Sequence, residues 1–180
     1  VQEAASVQTR LLDELKGSPI LTELAQLHAT GIELVDPSEL SGVVKGRKNL
    51  YNHLSDRIND AKTEVIILTT KQGIVRKAQG IKNALRKAQE RKVRVRIAGQ
   101  LDETNKEELR VLMKYAEVRS TQLPGRFVII DGKEITFMVQ EDEKTHPNYD
   151  FGVWVRSPLF ANAIKGFFDE SWQGMKPSRD

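Results

Sequence analysis

Apolar residues recur at helical spacing from the start of the chain. Over residues 2–16, Ala4, Val7, Leu11 and Leu15 fall on one stripe, the pattern of an amphipathic helix. Gly17-Ser18-Pro19 ends that helix and begins another, since Ser suits the position before a helix and Pro its first turn. The second helix presents Ile20, Leu21, Leu24 and Leu27 and stops at Gly31. Helices this short are marginal alone. Their stripes must pack on the main body, on each other or on a second copy, which makes Val7, Leu11, Leu15 and Leu24 candidate dimerisation residues. Residues 1–35 read as a helical linker and 36–180 as the main domain.

From Val43 the pattern alternates between helix and strand. Residues 47–61 carry Leu50, Leu54, Ile58 and Ala61 on one face, and "TEVIILTT" (63–70) is a short β-branched run read as a buried strand. Residues 74–90 repeat a helical stripe through Ile74, Ala78, Ile81, Leu85 and Ala88. "KVRVRIAG" (92–99) is a second strand, 103–116 a helix, and "EVRS" (117–120) a short strand. "RFVIIDGKEITF" is a hairpin, because Asp-Gly between β-rich runs supplies the positive φ angles that a tight turn needs. "DFGVWVR" (150–156) is a last strand, and Ser157-Pro158 starts a terminal helix with inner face Phe160, Ile164, Phe167, Phe168 and Trp172. Strands separated by helices imply βαβ units. The fold class expected is α/β: a mixed, largely parallel sheet flanked by helices.

Charge is distributed unevenly. The 180 residues carry a formal net charge of +3, yet Lys71 to Arg96 holds ten Lys or Arg against Glu90 alone. Such a segment can be the wet side of one helix or an anion and nucleic-acid surface. On the 74–90 helix, Arg76, Lys77, Lys82, Arg86 and Lys87 fall opposite the apolar stripe. In "VRVRIA" the period of two sends Arg94 and Arg96 to the face opposite Val93, Val95 and Ile97, so either this strand is exposed on one side or the two arginines meet acids or an anionic ligand, with salt bridging expected. No apolar run approaches the ~18 residues of a membrane span, and no signal-peptide pattern opens the chain, so a cytoplasmic location is expected. The absence of cysteine excludes disulfides, thiol nucleophiles and Cys-ligated zinc.

Familiar catalytic patterns are missing. His28, His53 and His146 are scattered with no second ligand at helical spacing, so no metal is expected; no glycine-rich phosphate loop and no Gly-x-Ser-x-Gly elbow appears, and no cofactor is expected. Asp131 is most simply a turn residue.

The order and spacing of "EVIILTT", "IKNALRKAQERKVRVRIAG", "EVRS", "RFVIIDGKEITFM" and "FGVWVRSPLFANAIKGFFDESW" resemble one half of the phospholipase D superfamily fold over roughly residues 45–175. That superfamily carries His-x-Lys-x-x-x-x-Asp, with the Asp ahead of a hairpin turn. Placing Asp131 on the signature Asp puts Arg126 on the Lys and Pro124 on the His. The resemblance implies catalysis by a covalent imidazole nucleophile. Proline offers neither a lone pair nor a proton, so the chain is expected not to be an enzyme. Among non-catalytic members, the layout is similar to the effector domain of TrmB-type archaeal transcriptional regulators, which place a winged helix first, a dimerising helical linker next and a phospholipase-D-like domain after it.

The resemblance thus implies a ligand-sensing and dimerisation domain of a regulator. The protein is expected to be a homodimer that reaches DNA only through a winged helix absent from this sequence; beginning at Val1 fits a processed protein or a fragment. A small-molecule effector is expected at the carboxyl ends of the parallel strands, with Thr69, Thr70, Lys71, Gly99, Arg126 and Asp131 as candidate ligand-binding residues. Two alternatives stay open: direct nucleic-acid binding through 71–96, and a residual phosphodiesterase.

Overall fold

The computed structural model describes residues 36–141 and 143–178, with the isolated positions Pro19, Thr22, Glu23 and Gln26. The chain divides into two units, Val1–Asp36 and Pro37–Asp180, and the second is described below. The candidate dimerisation residues Val7, Leu11, Leu15 and Leu24 lie outside the described residues.

The elements are α1 (Pro37–Leu40), β1 (Ser41–Lys45), α2 (Arg47–Asp60), β2 (Glu64–Thr69), α3 (Lys71–Gly80), α4 (Lys82–Glu90), β3 (Arg94–Gly99), α5 (Lys106–Met113), β4 (Glu117–Ser120), β5 (Phe127–Ile130), β6 (Glu134–Met138), β7 (Phe151–Arg156), α6 (Pro158–Gly174) and β8 (Lys176–Pro177). They form one eight-stranded sheet in the order β1-β7-β6-β5-β2-β3-β4-β8. The sheet is mixed and flanked by helices, as the sequence implies, but parallel pairing is confined to β2-β3 and β3-β4. The other five neighbours are antiparallel. β2–β3 and β3–β4 are each joined through helices, the crossover that parallel neighbours need, whereas the three-residue turn between β5 and β6 folds the chain straight back on itself.

Residues 74–90 form two helices rather than one. The first starts at Lys71, because the Thr70 side chain accepts from Gly73 N–H at 3.0 Å. It ends at Ile81, whose φ of −124° and ψ of 5° leave the helical region. Gly80 abuts the Tyr51 ring, where an added Cβ would lie 2.5 Å from Cδ1. Two strands escaped the pattern reading: β1 and β8 are short edge strands with partly or fully exposed side chains.

The period of two sorts the core. Val65, Ile67, Val95, Ile97, Val128 and Ile130 face one way, under α2 to α5. Ile66, Leu68, Ala98, Ile129 and Ile135 face the other way, under Ala161, Phe168 and Trp172 of α6. Phe160 and Phe167, expected on the inner face of α6, are exposed, because Ala161, Phe168 and Trp172 occupy the side turned to the sheet. Arg96 also points to the α6 side and is buried. Its Nη2 meets Glu64 at 2.7 Å and Asp169 at 2.6 Å, and its guanidinium lies near the Phe168 and Trp172 rings. Arg94 faces Glu117 at 3.7 Å. The expectation that these two arginines meet acids is met within the chain itself.

The Asp-Gly turn forms as predicted, with φ of 53° at Asp131 and 63° at Gly132, and Lys133 N–H donates to the Ile130 carbonyl at 2.9 Å. Asp131 does more than turn the chain. Its carboxylate accepts from the backbone N–H groups of Lys62, Thr63 and Glu64 and from the Thr63 hydroxyl, at 2.8 to 3.2 Å. It thereby ties the β5–β6 hairpin to the start of β2.

Candidate functional site

β2 and β3 run parallel and end together at Thr69 and Gly99, so their carboxyl ends open onto one rim of the sheet. β5, antiparallel to β2, begins at the same rim, because Phe127 pairs with Leu68. A crevice of about 440 Å³ opens there, lined by Thr70 and Gln100 after the parallel strands, Pro124, Gly125 and Arg126 before β5, and Met138 to Glu141 with Glu143 after β6. Backbone geometry thus brings Pro124 and Arg126 beside Thr70. Gly125 allows the close approach: its φ is 143°, and an added Cβ would stand 2.9 Å from Leu68.

Beneath the crevice lies a buried polar cluster. Arg126 Nη1 and Nη2 donate to Asp150 Oδ1 and Oδ2 at 3.3 and 3.1 Å, and Nη1 also donates to the Gln140 carbonyl at 2.8 Å. Arg47 Nε reaches Asp150 Oδ2 at 3.0 Å from the start of α2. The Asp150 side chain is fully shielded from solvent. Burial pushes its carboxyl up, but the hydrogen bonds and charges of Arg126 and Arg47 outweigh this and hold it below the usual carboxylate range. Lys77 Nζ is also buried; it donates to Thr69 Oγ1 at 2.8 Å and lies 5.8 Å from the Tyr51 ring centre. Desolvation, reinforced by Arg126 and Arg76, lowers the Lys77 pKa to about 7. Desolvation raises that of Tyr51 to about 12.

The six candidate ligand residues separate. Thr70 and Arg126 line the crevice. Thr69 is buried below it, holding Lys77. Lys71 points to Asp102 at 2.5 Å. Gly99 packs against Ile74, where a Cβ would sit 2.9 Å from Cδ1, and its carbonyl accepts from Thr121 N–H. Asp131 lies at the opposite end of β2, bound to the amides of residues 62–64, and does not line the crevice. The signature spacing therefore spans a whole strand, from Arg126 before β5 to Asp131 after it.

Sequence reasoning missed Lys77, Gln100, Gln140 and Asp150. Lys77 was placed on the wet side of its helix, although Ile74, Lys77, Ala78 and Ile81 repeat at core spacing and all are buried. That spacing was the available signal. Gln140 has none, since it sits in a polar loop; its Oε1 is buried with no hydrogen-bond partner among the described residues. His53 bonds the Thr136 hydroxyl at 3.1 Å and stacks near Trp154, and His146 accepts from Asn148 N–H at 3.3 Å. Neither histidine lines the crevice. Within the basic segment Lys71 pairs with Asp102, Lys77 with Thr69, Arg86 with Glu90, Arg94 with Glu117, and Arg96 with Glu64 and Asp169, and of its cations only Lys77 and Arg96 are buried. Among the described residues no group of three or more His, Cys, Asp or Glu could hold a metal, and no helix is long and apolar enough to cross a membrane.

Known proteins share this fold. TrmBL2, described as an archaeal chromatin protein with a novel mode of DNA binding, superposes with a TM-score of 0.61 at 22% identity, covering 97% of this chain and 68% of its own. Nuc from Salmonella typhimurium, a phospholipase D family member, matches at TM-score 0.62 and 17% identity over 78% of this chain and 99% of its own. NucT from Helicobacter pylori matches at 0.61 and 15% over 77% and 98%. These likenesses show a phospholipase-D-like fold. No curated protein sequence matches significantly. Residues 42–176 match the family model described as transcriptional regulator TrmB, EBD N-terminal subdomain, and the chain therefore belongs to the TrmB family, as an effector-binding-domain segment of a transcriptional regulator.

Proposed function

We propose that this domain is a non-catalytic, effector-sensing and pairing module, and that the crevice at the ends of β2 and β3 is its effector site. The observation that carries the reading is the pairing of Pro124 and Arg126 in one crevice wall. The position that would attack phosphorus holds no nucleophile, and the cation two residues on is fixed to Asp150 at 3.1 Å. Loss of a covalent nucleophile lowers turnover by about 10⁴–10⁶. The buried Gln140 Oε1, which has no donor among the described residues, supports a ligand here, because a desolvated acceptor gains most from an added hydrogen bond. A crevice of about 440 Å³ is in the range of small-molecule sites. In the intact regulator, DNA contact falls to a winged helix, and the domain acts by binding its effector differently in two states.

The test is thermal-shift screening against sugars, amino acids and nucleotides, followed by calorimetry on Gln140→Leu and Gln100→Leu. A stabilising ligand should lose about tenfold or more in affinity in these variants, in line with an unpaired polar partner. Wild-type turnover of bis-p-nitrophenyl phosphate that disappears in Arg126→Ala would overturn the non-catalytic reading.

A further inference from the structure

The two faces of the sheet are covered unequally. Four helices, α2 to α5, pack over one face, whereas α6 is the only helix among the described residues that packs over the other. An eight-stranded sheet is about 35–40 Å across, and a helix with its side chains is about 10–12 Å wide. Among the described residues a single helix therefore leaves β1 and β7 only partly covered. Lys165 and Asp169 fasten one flank of α6 to Glu64 and Arg96 in β2 and β3. The other flank carries Phe160, Ile164 and Phe167 at helical spacing; Ile164 packs in one apolar cluster with Phe137 of β6 and Val155 of β7. On those strands Phe137 and Val153 face the α6 side with Ile135 and Val155, opposite each other in register. Val43 continues the row on β1, opposite Val153.

This strip is apolar and open. Val43 is 56% exposed, Val139 55%, Phe160 42% and Phe167 70%. These four side chains expose on the order of 400 Å² of apolar surface, where a large side chain contributes about 150–250 Å² in full. Monomers rarely leave more than a few hundred Å² contiguous.

We infer, taking the pairing proposed above as given, that two copies of this chain meet through the strip between α6 and β1. The area fits that occupant. A stable interface takes about 800 Å² from each partner, of which about 56–65% is apolar, so roughly 450–520 Å² is needed and most of it is present here. The shape fits as well. A two-fold interface must be self-complementary, and this face carries a ridge, Phe160 and Phe167, beside a trough, the partly covered strands β7 and β1. Rotation about an axis between them lays each copy's α6 over those strands of the other copy and gives each sheet a second covering helix.

Two measurements test the face on the full chain. Sedimentation velocity should show a dimer at micromolar concentration, and Phe167→Glu should raise the dissociation constant by about tenfold or more. Its circular dichroism should not change, nor should its melting temperature at concentrations low enough that both proteins are monomeric, because the ring is exposed in the single chain. The chain has no cysteine, so Val43→Cys and Phe167→Cys variants, mixed under oxidation, should form the mixed disulfide in excess of either homodisulfide. A dimer that Phe167→Glu leaves undiminished, or that yields no mixed disulfide, overturns the face while the pairing stands. A strict monomer up to about 100 μM overturns both.

Discussion

Replacing Lys77 by Met should stabilise the protein at neutral pH and lose that advantage in alkali. Lys77 is fully buried, with Thr69 Oγ1 at 2.8 Å as its hydrogen-bond acceptor and the positive charges of Arg126 and Arg76 nearby. Its pKa falls from 10.5 in the unfolded chain to about 7 in the fold. Between these values the unfolded state binds more protons than the folded one, so stability rises with pH across the window. The cost of folding around this lysine is complete below pH 7 and fades toward pH 10.5. At 1.36 kcal/mol per unit, it amounts to about 5 kcal/mol. Met keeps the length and apolar character of the stem and removes the amine. It forfeits a hydrogen bond to Thr69 worth about 1 kcal/mol net. The expected gain is therefore about 3–4 kcal/mol at pH 7, shrinking to a loss of about 1 kcal/mol near pH 10.5. Urea unfolding of both proteins at half-unit pH steps from 6.5 to 10.5 measures the difference, and other titrating groups cancel between them. A difference that stays constant over this range would refute the reasoning, because a purely structural role for the side chain has no such slope.

Asp131→Ala should destabilise by about 2–4 kcal/mol, since the amides of Lys62, Thr63 and Glu64 lose a charged acceptor. Burial pushes the Asp131 carboxyl up, but the backbone donors of Glu64, Thr63 and Lys62 hold it below its ordinary value. The deficit should therefore be complete above about pH 4 and narrow as acid titrates the wild-type group; acid-unfolding curves that stay parallel would contradict this. Arg96→Leu should cost about 3 kcal/mol, the lower end for a broken buried pair, because Lys165 still serves Glu64 and Asp169; a cost below about 1 kcal/mol in urea unfolding would show that the pair adds nothing. Pro124→His should show no phosphodiesterase activity, because the Arg126 beside it stays bound to Asp150; turnover of bis-p-nitrophenyl phosphate above the wild-type and buffer rates would show that the imidazole alone suffices.

Local pattern determined much of this protein. The stripe Leu50, Leu54, Ile58 made α2, the runs "EVIILT" and "RVRIAG" made β2 and β3, and Asp131-Gly132 made the hairpin, because each depends on a period or a backbone conformation set by neighbours in sequence. That Pro124 stands where the phospholipase D resemblance expects an imidazole was equally legible, being a matter of residue identity and spacing. What required the tertiary structure were the choices made between distant segments. Whether β5 would pair parallel or antiparallel with β2 depended on the short path after β4, and which phenylalanines of α6 met the sheet depended on how that helix lay across it. Asp150 became the partner of two arginines 24 and 103 residues away, and Lys77 became a buried base rather than a solvated one. Pattern fixes which side chains share a face. Only long-range packing decides what that face meets, and burial and charge pairing follow from the neighbour it meets.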